Sequence, residues 1–199
     1  HPRRGAISPA EFVPIAESSG LIVELGQFAL DEATKRLSDW QRATGNSKLF
    51  MSVNVSSRQL ISQDLIADVE AALKRYRIPA PTLKLELTES LVMDNPERSA
   101  QLLTKLRDRG VGLSLDDFGT GYSSLAYLMR FPFDTLKIDQ SFLRHNAQPQ
   151  RPIILHSIVT MAHDLGLKVV AEGVESESDV VQLRQLNCEY AQSFLFSPP

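Results

Sequence analysis

Apolar and polar positions along this chain alternate between two periods from one end to the other. Leu25, Phe28, Ala33, Leu37 and Trp40 recur at helical spacing, as do Ile66, Val69, Leu73 and Tyr76. Each set predicts an amphipathic helix with that face inward, which places Trp40 and Tyr76 in the core. Asn95-Pro96-Glu97 reads as an N-cap, a proline at the first helical position and an early acid. The helix it opens carries Leu102, Leu103 and Leu106 and stops at Gly110, a candidate C-cap glycine. Pro152 opens another, with Ile154, Ile158, Met161 and Leu165 on one face and Gly166 at its end. A last helix is expected over residues 177–187.

Between these helices lie short period-two segments near residues 48–55, 82–87, 111–116, 134–139, 168–172 and 189–192. Strands separated by helices predict right-handed βαβ units and a parallel sheet. Parity within the strands then separates an open sheet from a barrel. A doubly wound sheet is covered on both faces, so both parities read as apolar. Here Leu83, Leu85 and Leu87 alternate with Lys84, Glu86 and Thr88, and Val111, Leu113 and Leu115 with Gly112, Ser114 and Asp116. Leu136 and Ile138 likewise oppose Thr135, Lys137 and Asp139, and Val53 and Val55 oppose Asn54 and Ser56. A polar parity shared by four strands predicts a common lumen, and hence an α/β fold of the (β/α) TIM-like barrel type.

Such a barrel has eight strands in about 250 residues, so the six legible here imply that roughly two N-terminal strands are missing from this chain. His1-Pro2 reads as part of a loop, and His145 to Arg151 is the loosest stretch, too short to divide domains. Residues 1–199 are therefore read as one domain, incomplete at its N-terminus. An unpaired barrel edge invites swapping or aggregation, so the isolated fragment is expected to be poorly active.

Composition changes this picture little: 43% hydrophobic and 23% charged residues are ordinary for a globular protein. No apolar run approaches the roughly 18 residues that span a bilayer, and no secretory signal opens the chain. The single cysteine, Cys188, forms no internal disulfide and fits a reducing, cytoplasmic setting. It reads as a small buried hydrophobe. His156 and His163 share a helical face but lack further ligands, so they read as surface. The net charge of −3 argues against a broad basic surface, and so against DNA binding. If the substrate is an anion, an acidic chain must recruit cations to hold it.

The polar parity supplies a place for them. Its strands finish in Asn54, Glu86, Asp116, Lys137 with Asp139, and Glu172. C-terminal strand ends converge on the active-site face of a barrel. Carboxylates meeting there repel one another unless cations or protons intervene. An all-oxygen donor set suits Mg²⁺ or Mn²⁺ better than zinc. A single acid of this kind is more often a surface residue; several at matching strand ends are not. Asp117 has the wrong parity for the lumen in a regular strand, but a turn at Phe118-Gly119 would let it reach inward.

The run Asp116-Asp117-Phe118-Gly119-Thr120-Gly121-Tyr122-Ser123-Ser124-Leu125 passes from a strand end through a glycine-containing loop into a helix. It is either a plain βα turn, whose glycines permit positive φ, or a mobile loop coupling the metal site to a neighbouring surface. With this run the chain resembles the EAL domain, the bacterial cyclic di-GMP phosphodiesterase barrel. The likeness runs from Ile7-Ser8-Pro9-Ala10-Glu11-Phe12-Val13-Pro14 through Val53-Asn54-Val55-Ser56 and Glu86-Leu87-Thr88-Glu89-Ser90. It continues in Leu136-Lys137-Ile138-Asp139 and Ala171-Glu172-Gly173-Val174-Glu175.

The resemblance implies residue roles. Asn54, Glu86, Asp116 and Asp117 match metal ligands, and Glu172 an acid of the metal and catalytic centre. Lys137 matches a lysine that holds or activates the attacking water. Asp139 and Gln192 match positions facing the substrate, while Glu89 and Glu175 match acids that position the loop after Asp117. Two departures stand out. The family's Glu-Ala-Leu signature, expected just before His1, is absent from this chain. Ser193 also stands where the family usually has glycine.

The implied reaction is hydrolysis of cyclic di-GMP to linear pGpG with two Mg²⁺ or Mn²⁺ ions. A homodimer and further domains of a larger signalling protein are implied with it, any membrane anchor lying outside these residues. Two alternatives stay open: a noncatalytic cyclic di-GMP receptor, and an unrelated barrel lyase that uses Lys137 for a Schiff base.

Overall fold

A computed structural model describes residues 2–61, 64–119, 128–143 and 151–196, apart from the side chain of Arg151. All six strands predicted by alternation are present: Met51–Asn54 (β1), Leu83–Thr88 (β2), Gly112–Phe118 (β3), Thr135–Ile138 (β4), Lys168–Glu172 (β5) and Tyr190–Gln192 (β6). They form one sheet in the order β1-β2-β3-β4-β5-β6. The pairs β3–β4, β4–β5 and β5–β6 are parallel. A doubly wound sheet reverses its strand order at a switch point; a sequential order belongs to a (β/α) barrel wall.

The chain divides into two compact units, His1–Leu85 with Lys105–Val111, and Glu86–Thr104 with Gly112–Pro199. In the first, helix α1 (Pro9–Ser19) follows Ser8, whose hydroxyl accepts from the Ala10 amide, and α2 covers Ile22–Thr44. The buried stripe of α2 is Ile22, Gly26, Leu30, Thr34, Leu37 and Gln41. Only Leu37 of the face expected for this helix is in it; Phe28 is 66% exposed and Trp40 55%. Polarity explains the error. Gly26 is buried because the Gln59 amide packs against it, and a Cβ there would lie 1.8 Å from that side chain. Gln41 is buried because its Nε2 donates to the Leu49 carbonyl (2.8 Å) and the Thr82 hydroxyl (3.1 Å).

Helices α3 (Ser57–Ile61) and α4 (Leu65–Tyr76) follow β1. α4 buries Leu65, Val69 and Ala72, not the expected Ile66 and Leu73. Tyr76 is half-buried, with its hydroxyl donating to Asp31 at 2.9 Å.

In the second unit, α5 (Glu89–Asp94) follows β2, and α6 (Pro96–Asp108) starts where expected, with the Asn95 side chain accepting from the Arg98 amide. A short 3₁₀ turn, η1 (Gln140–Phe142), follows β4. Helix α7 covers Arg151–Asp164 and α8 Glu177–Gln185. α7 buries Leu155, Val159 and Ala162, one position round from the expected Ile154, Ile158 and Met161. Cys188 is half-buried rather than buried, and desolvation pushes its thiol up to about 11. His156 is exposed, as expected. His1, residues 120–125 of the glycine-containing loop and residues 145–150 lie outside the described residues. No helix among the described residues is long and apolar enough to cross a membrane.

Candidate metal and catalytic site

Four neighbouring strands bring the site together in the second unit. Glu86 lies in β2, Asp116 and Asp117 in β3, Lys137 in β4 and Glu172 ends β5. Lys137 is 3% exposed, and its ammonium has three donors. Each meets a different acid: Glu86 Oε2 at 2.7 Å, Glu172 Oε1 at 2.7 Å and Asp116 Oδ1 at 3.0 Å. Burial alone would lower this lysine's pKa, but the three carboxylates outweigh it and hold Lys137 far above the ordinary lysine range. The Asp139 carboxylate, two residues on, caps η1, accepting from the Ser141 amide at 2.9 Å.

Asp117 enters the site by a route that parity does not show. The β3–β4 register pairs Leu115 with Leu136 but Phe118 with Ile138. Asp116 and Asp117 therefore both stand opposite Lys137, a β-bulge with one extra residue. Asp117 takes φ 55°, a left-handed conformation that aspartate tolerates better than most residues, and its amide donates to Asp116 Oδ1 at 3.0 Å. The inward turn is thus at Asp117 itself, ahead of the expected Phe118-Gly119. Phe118 returns to the buried side.

One carboxylate oxygen from each of Asp116, Asp117 and Glu172 lies within 4.8 Å of the others. Together with Glu86, four acids face one ammonium. Two of them carry the strain of this excess. Burial raises the Asp117 pKa, and the neighbouring Asp116 and Asp139 raise it further. Burial also raises that of Glu172, against the pull of Lys137. Closely spaced, partly desolvated oxygen donors with surplus negative charge fit a hard divalent cation.

The remaining expected residues lie around this cluster or elsewhere. Glu89 is buried at the start of α5, and its Oε2 accepts from the Gly119 amide at 3.3 Å. Gln192 is exposed and pairs in register with Glu172. Glu175 is exposed, and its amide donates to Asp179. Asn54 is exposed at the end of β1 and belongs to the first unit. Ser193 turns its hydroxyl onto backbone, donating to the Val174 carbonyl and accepting from the Leu195 amide.

Sequence reasoning passed over Gln140, Phe142 and Gly173, which surround the strand ends. A glycine one or two residues beyond the acids of β3 and β5 was the available signal.

Comparison with known proteins agrees with this geometry. The chain is 41% identical to the signaling protein YkoW of Bacillus subtilis over 96% of its own length and 24% of that protein's. It is 42% identical to the cyclic di-GMP phosphodiesterase NbdA of Pseudomonas aeruginosa over 100% of the chain and 25% of that protein. The chain thus spans about a quarter of the length of these curated relatives. Among solved structures, the PaMucR phosphodiesterase in complex with c-di-GMP superposes with a TM-score of 0.95 at 41% identity. That match covers 100% of this chain and 81% of the other. The family model described as the EAL domain matches residues 1–199, and with the acids of three strand ends gathered on one buried lysine, the chain belongs to the EAL domain family.

Proposed function

We propose that residues 1–199 form a metal-dependent phosphodiesterase domain that hydrolyses one phosphodiester of cyclic di-GMP, giving linear pGpG. The observation that carries this reading is the cluster of Asp116, Asp117 and Glu172 oxygens beside a buried lysine. Glu86, Asp116, Asp117 and Glu172 would hold two Mg²⁺ or Mn²⁺ ions, and Asn54 joins them by resemblance. Divalent ions bound there would polarise a phosphoryl oxygen and make an attacking water more acidic.

The chain's own residues do the rest. Lys137 keeps its proton at neutral pH, so it acts as a donor and a positive charge. It therefore orients water and offsets the negative charge that builds on the phosphoryl group, and does not serve as a base. Glu172 and Asp117 hold protons more tightly than ordinary carboxylates do, and a cation favours the charged form in which they act as ligands. Glu89 fixes the Gly119 amide beside them. Glu175 is assigned to the same loop, and Asp139 and Gln192 to the substrate.

The two other readings lose support. A Schiff-base lysine needs surroundings that depress its pKa, whereas three acids raise that of Lys137. Ser193, the departure from the family's usual glycine, is the visible change that would favour a receptor, and its hydroxyl is committed to neighbouring backbone. The domain is further assigned to a larger, homodimeric signalling protein acting on the cytoplasmic side.

The test is chromatographic detection of pGpG from cyclic di-GMP with Mg²⁺ or Mn²⁺, by this chain and by the full-length protein. Glu86→Ala is the control. Turnover by the full-length protein that the control lacks is expected. Tight nucleotide binding without turnover would overturn the enzyme in favour of a receptor.

A further inference from the structure

η1 occupies the space just beyond the end of β4, the strand that lies between β3 and β5 in the sheet. It is wedged between two glycines. A Cβ on Gly119 would lie 2.6 Å from Cζ of Phe142 and 2.8 Å from a second ring carbon. A Cβ on Gly173 would lie 2.4 Å from Cβ of Gln140 and 3.3 Å from its Cα. Both distances are shorter than carbon atoms permit, so at each glycine η1 packs directly on backbone. Both glycines have positive φ, 90° and 67°.

These glycines are not arbitrary neighbours. Gly119 lies two residues beyond Asp117, and Gly173 directly follows Glu172. The register break between Leu115 and Phe118 interrupts the ladder with β4 at the β3 acids. Besides the Lys137 ion pair and the Asp117 amide bond to Asp116, the segment that follows them is fixed beyond the strand end by the Glu89–Gly119 bond and by the Phe142 ring against Gly119. η1 is itself pinned, because Asp139 accepts from the Ser141 amide and the Asp139 carbonyl from the Phe142 amide at 3.1 Å.

We propose that η1 is a spacer setting the separation between the two β3 acids and the β5 acid, with Phe142 as its positioning residue. An aromatic ring has only two side-chain torsions and deforms little, which suits it to this task. The proposal deepens the metal-dependent reading above and rests on it.

Ordinary packing and a spacer make different predictions. Packing alone lowers the melting temperature and leaves the cation affinity of the folded protein unchanged. A spacer changes the affinity. Mn²⁺ binding to the whole chain is read by electron paramagnetic resonance, beside thermal unfolding, for wild type, Phe142→Ala and Phe142→Leu. Phe142→Ala is expected to weaken Mn²⁺ binding roughly 10–100-fold, the range for residues that orient metal ligands, with Phe142→Leu recovering most of the loss. A folded Phe142→Ala protein with wild-type affinity overturns the spacer. Should Phe142→Ala fail to fold, Gly119→Ala attacks the same contact from the opposite side, and wild-type affinity there overturns it equally. Failure of the phosphodiesterase reading shows separately, as a full-length protein that binds Mn²⁺ and leaves cyclic di-GMP intact.

Discussion

The two ends of the β3–β4–β5 ladder are built on opposite principles. At the N-terminal end, Asp134 and Glu189 each have donors. Asp134 Oδ2 accepts from the Leu113 amide at 2.8 Å, and its Oδ1 from the Thr135 hydroxyl at 2.6 Å. Its carbonyl accepts from the Lys168 amide at 3.0 Å. Glu189 accepts from the Val169 amide at 2.9 Å, and such bonds outweigh its burial and lower its pKa. At the C-terminal end, four acids crowd one lysine, and Asp117 and Glu172 are raised. One end spends its charges on holding the strands together; the other keeps charge in surplus for something that arrives later. In barrels generally, the bottom face carries stability and the top face chemistry.

Asp117→Asn probes the difference hardest. Asparagine also accepts a positive φ, so the bulge survives while one charge leaves the crowded end. Turnover should fall at least about 100-fold, while the metal-free protein melts at a higher temperature than wild type. A lower melting temperature would mean that the acids at this end are structural after all.

Lys137→Met removes the ammonium that Glu86, Asp116 and Glu172 share. Breaking a buried ion pair from one side costs about 3–5 kcal/mol, and denaturant unfolding without metal should show a loss of that order. Added Mn²⁺ should recover part of it. At the other end, Asp134→Ala strands the Leu113 amide and should cost about 1–3 kcal/mol. The Mn²⁺ affinity of the folded Asp134→Ala protein should stay at the wild-type value; a weakened one would couple the two ends.

The smallest effect is in pH, and its sign differs between the ends. Raised carboxylates such as Asp117 and Glu172 stabilise the fold fully below their unfolded pKa of about 4, and the contribution is lost as pH climbs through their raised values. Glu189, which is lowered, contributes above about pH 4.3 and loses that contribution as pH falls through its folded value. In metal-free urea titrations, Glu189→Gln should flatten the acid side of the stability curve, and Asp117→Asn the limb above pH 4. Identical curves for the two variants would erase the distinction.

Much of this was legible in the sequence. The alternation of Leu83, Leu85 and Leu87 with Lys84 and Glu86 located β2, and similar alternation located the other strands, because a strand's period is short and local. Helical faces were harder. Gly26, Thr34 and Gln41 are buried for reasons of size and hydrogen bonding, so a search for apolar residues rotates α2 toward Phe28 and Trp40. The strand-end acids could be found from parity alone, except Asp117. Its place depends on a register break with β4, which is a relation between two strands and leaves no mark in either. The contact of Phe142 with Gly119 is hidden for the same reason.

That register break also constrains how such a pair of acids can arise. Side chains at consecutive positions of a regular strand point to opposite faces, so no choice of residues puts two neighbours on one side. Asp116 and Asp117 share a side because β3 is one residue longer than β4 across this stretch. In evolutionary terms the doublet is reached by an insertion, and point substitution along an unbulged strand does not reach it. The converse follows for loss. Replacing Asp117 deletes a ligand, whereas deleting it restores the ladder and leaves Phe118 opposite Ile138 on the buried face, so that one acid goes and no other side chain changes sides.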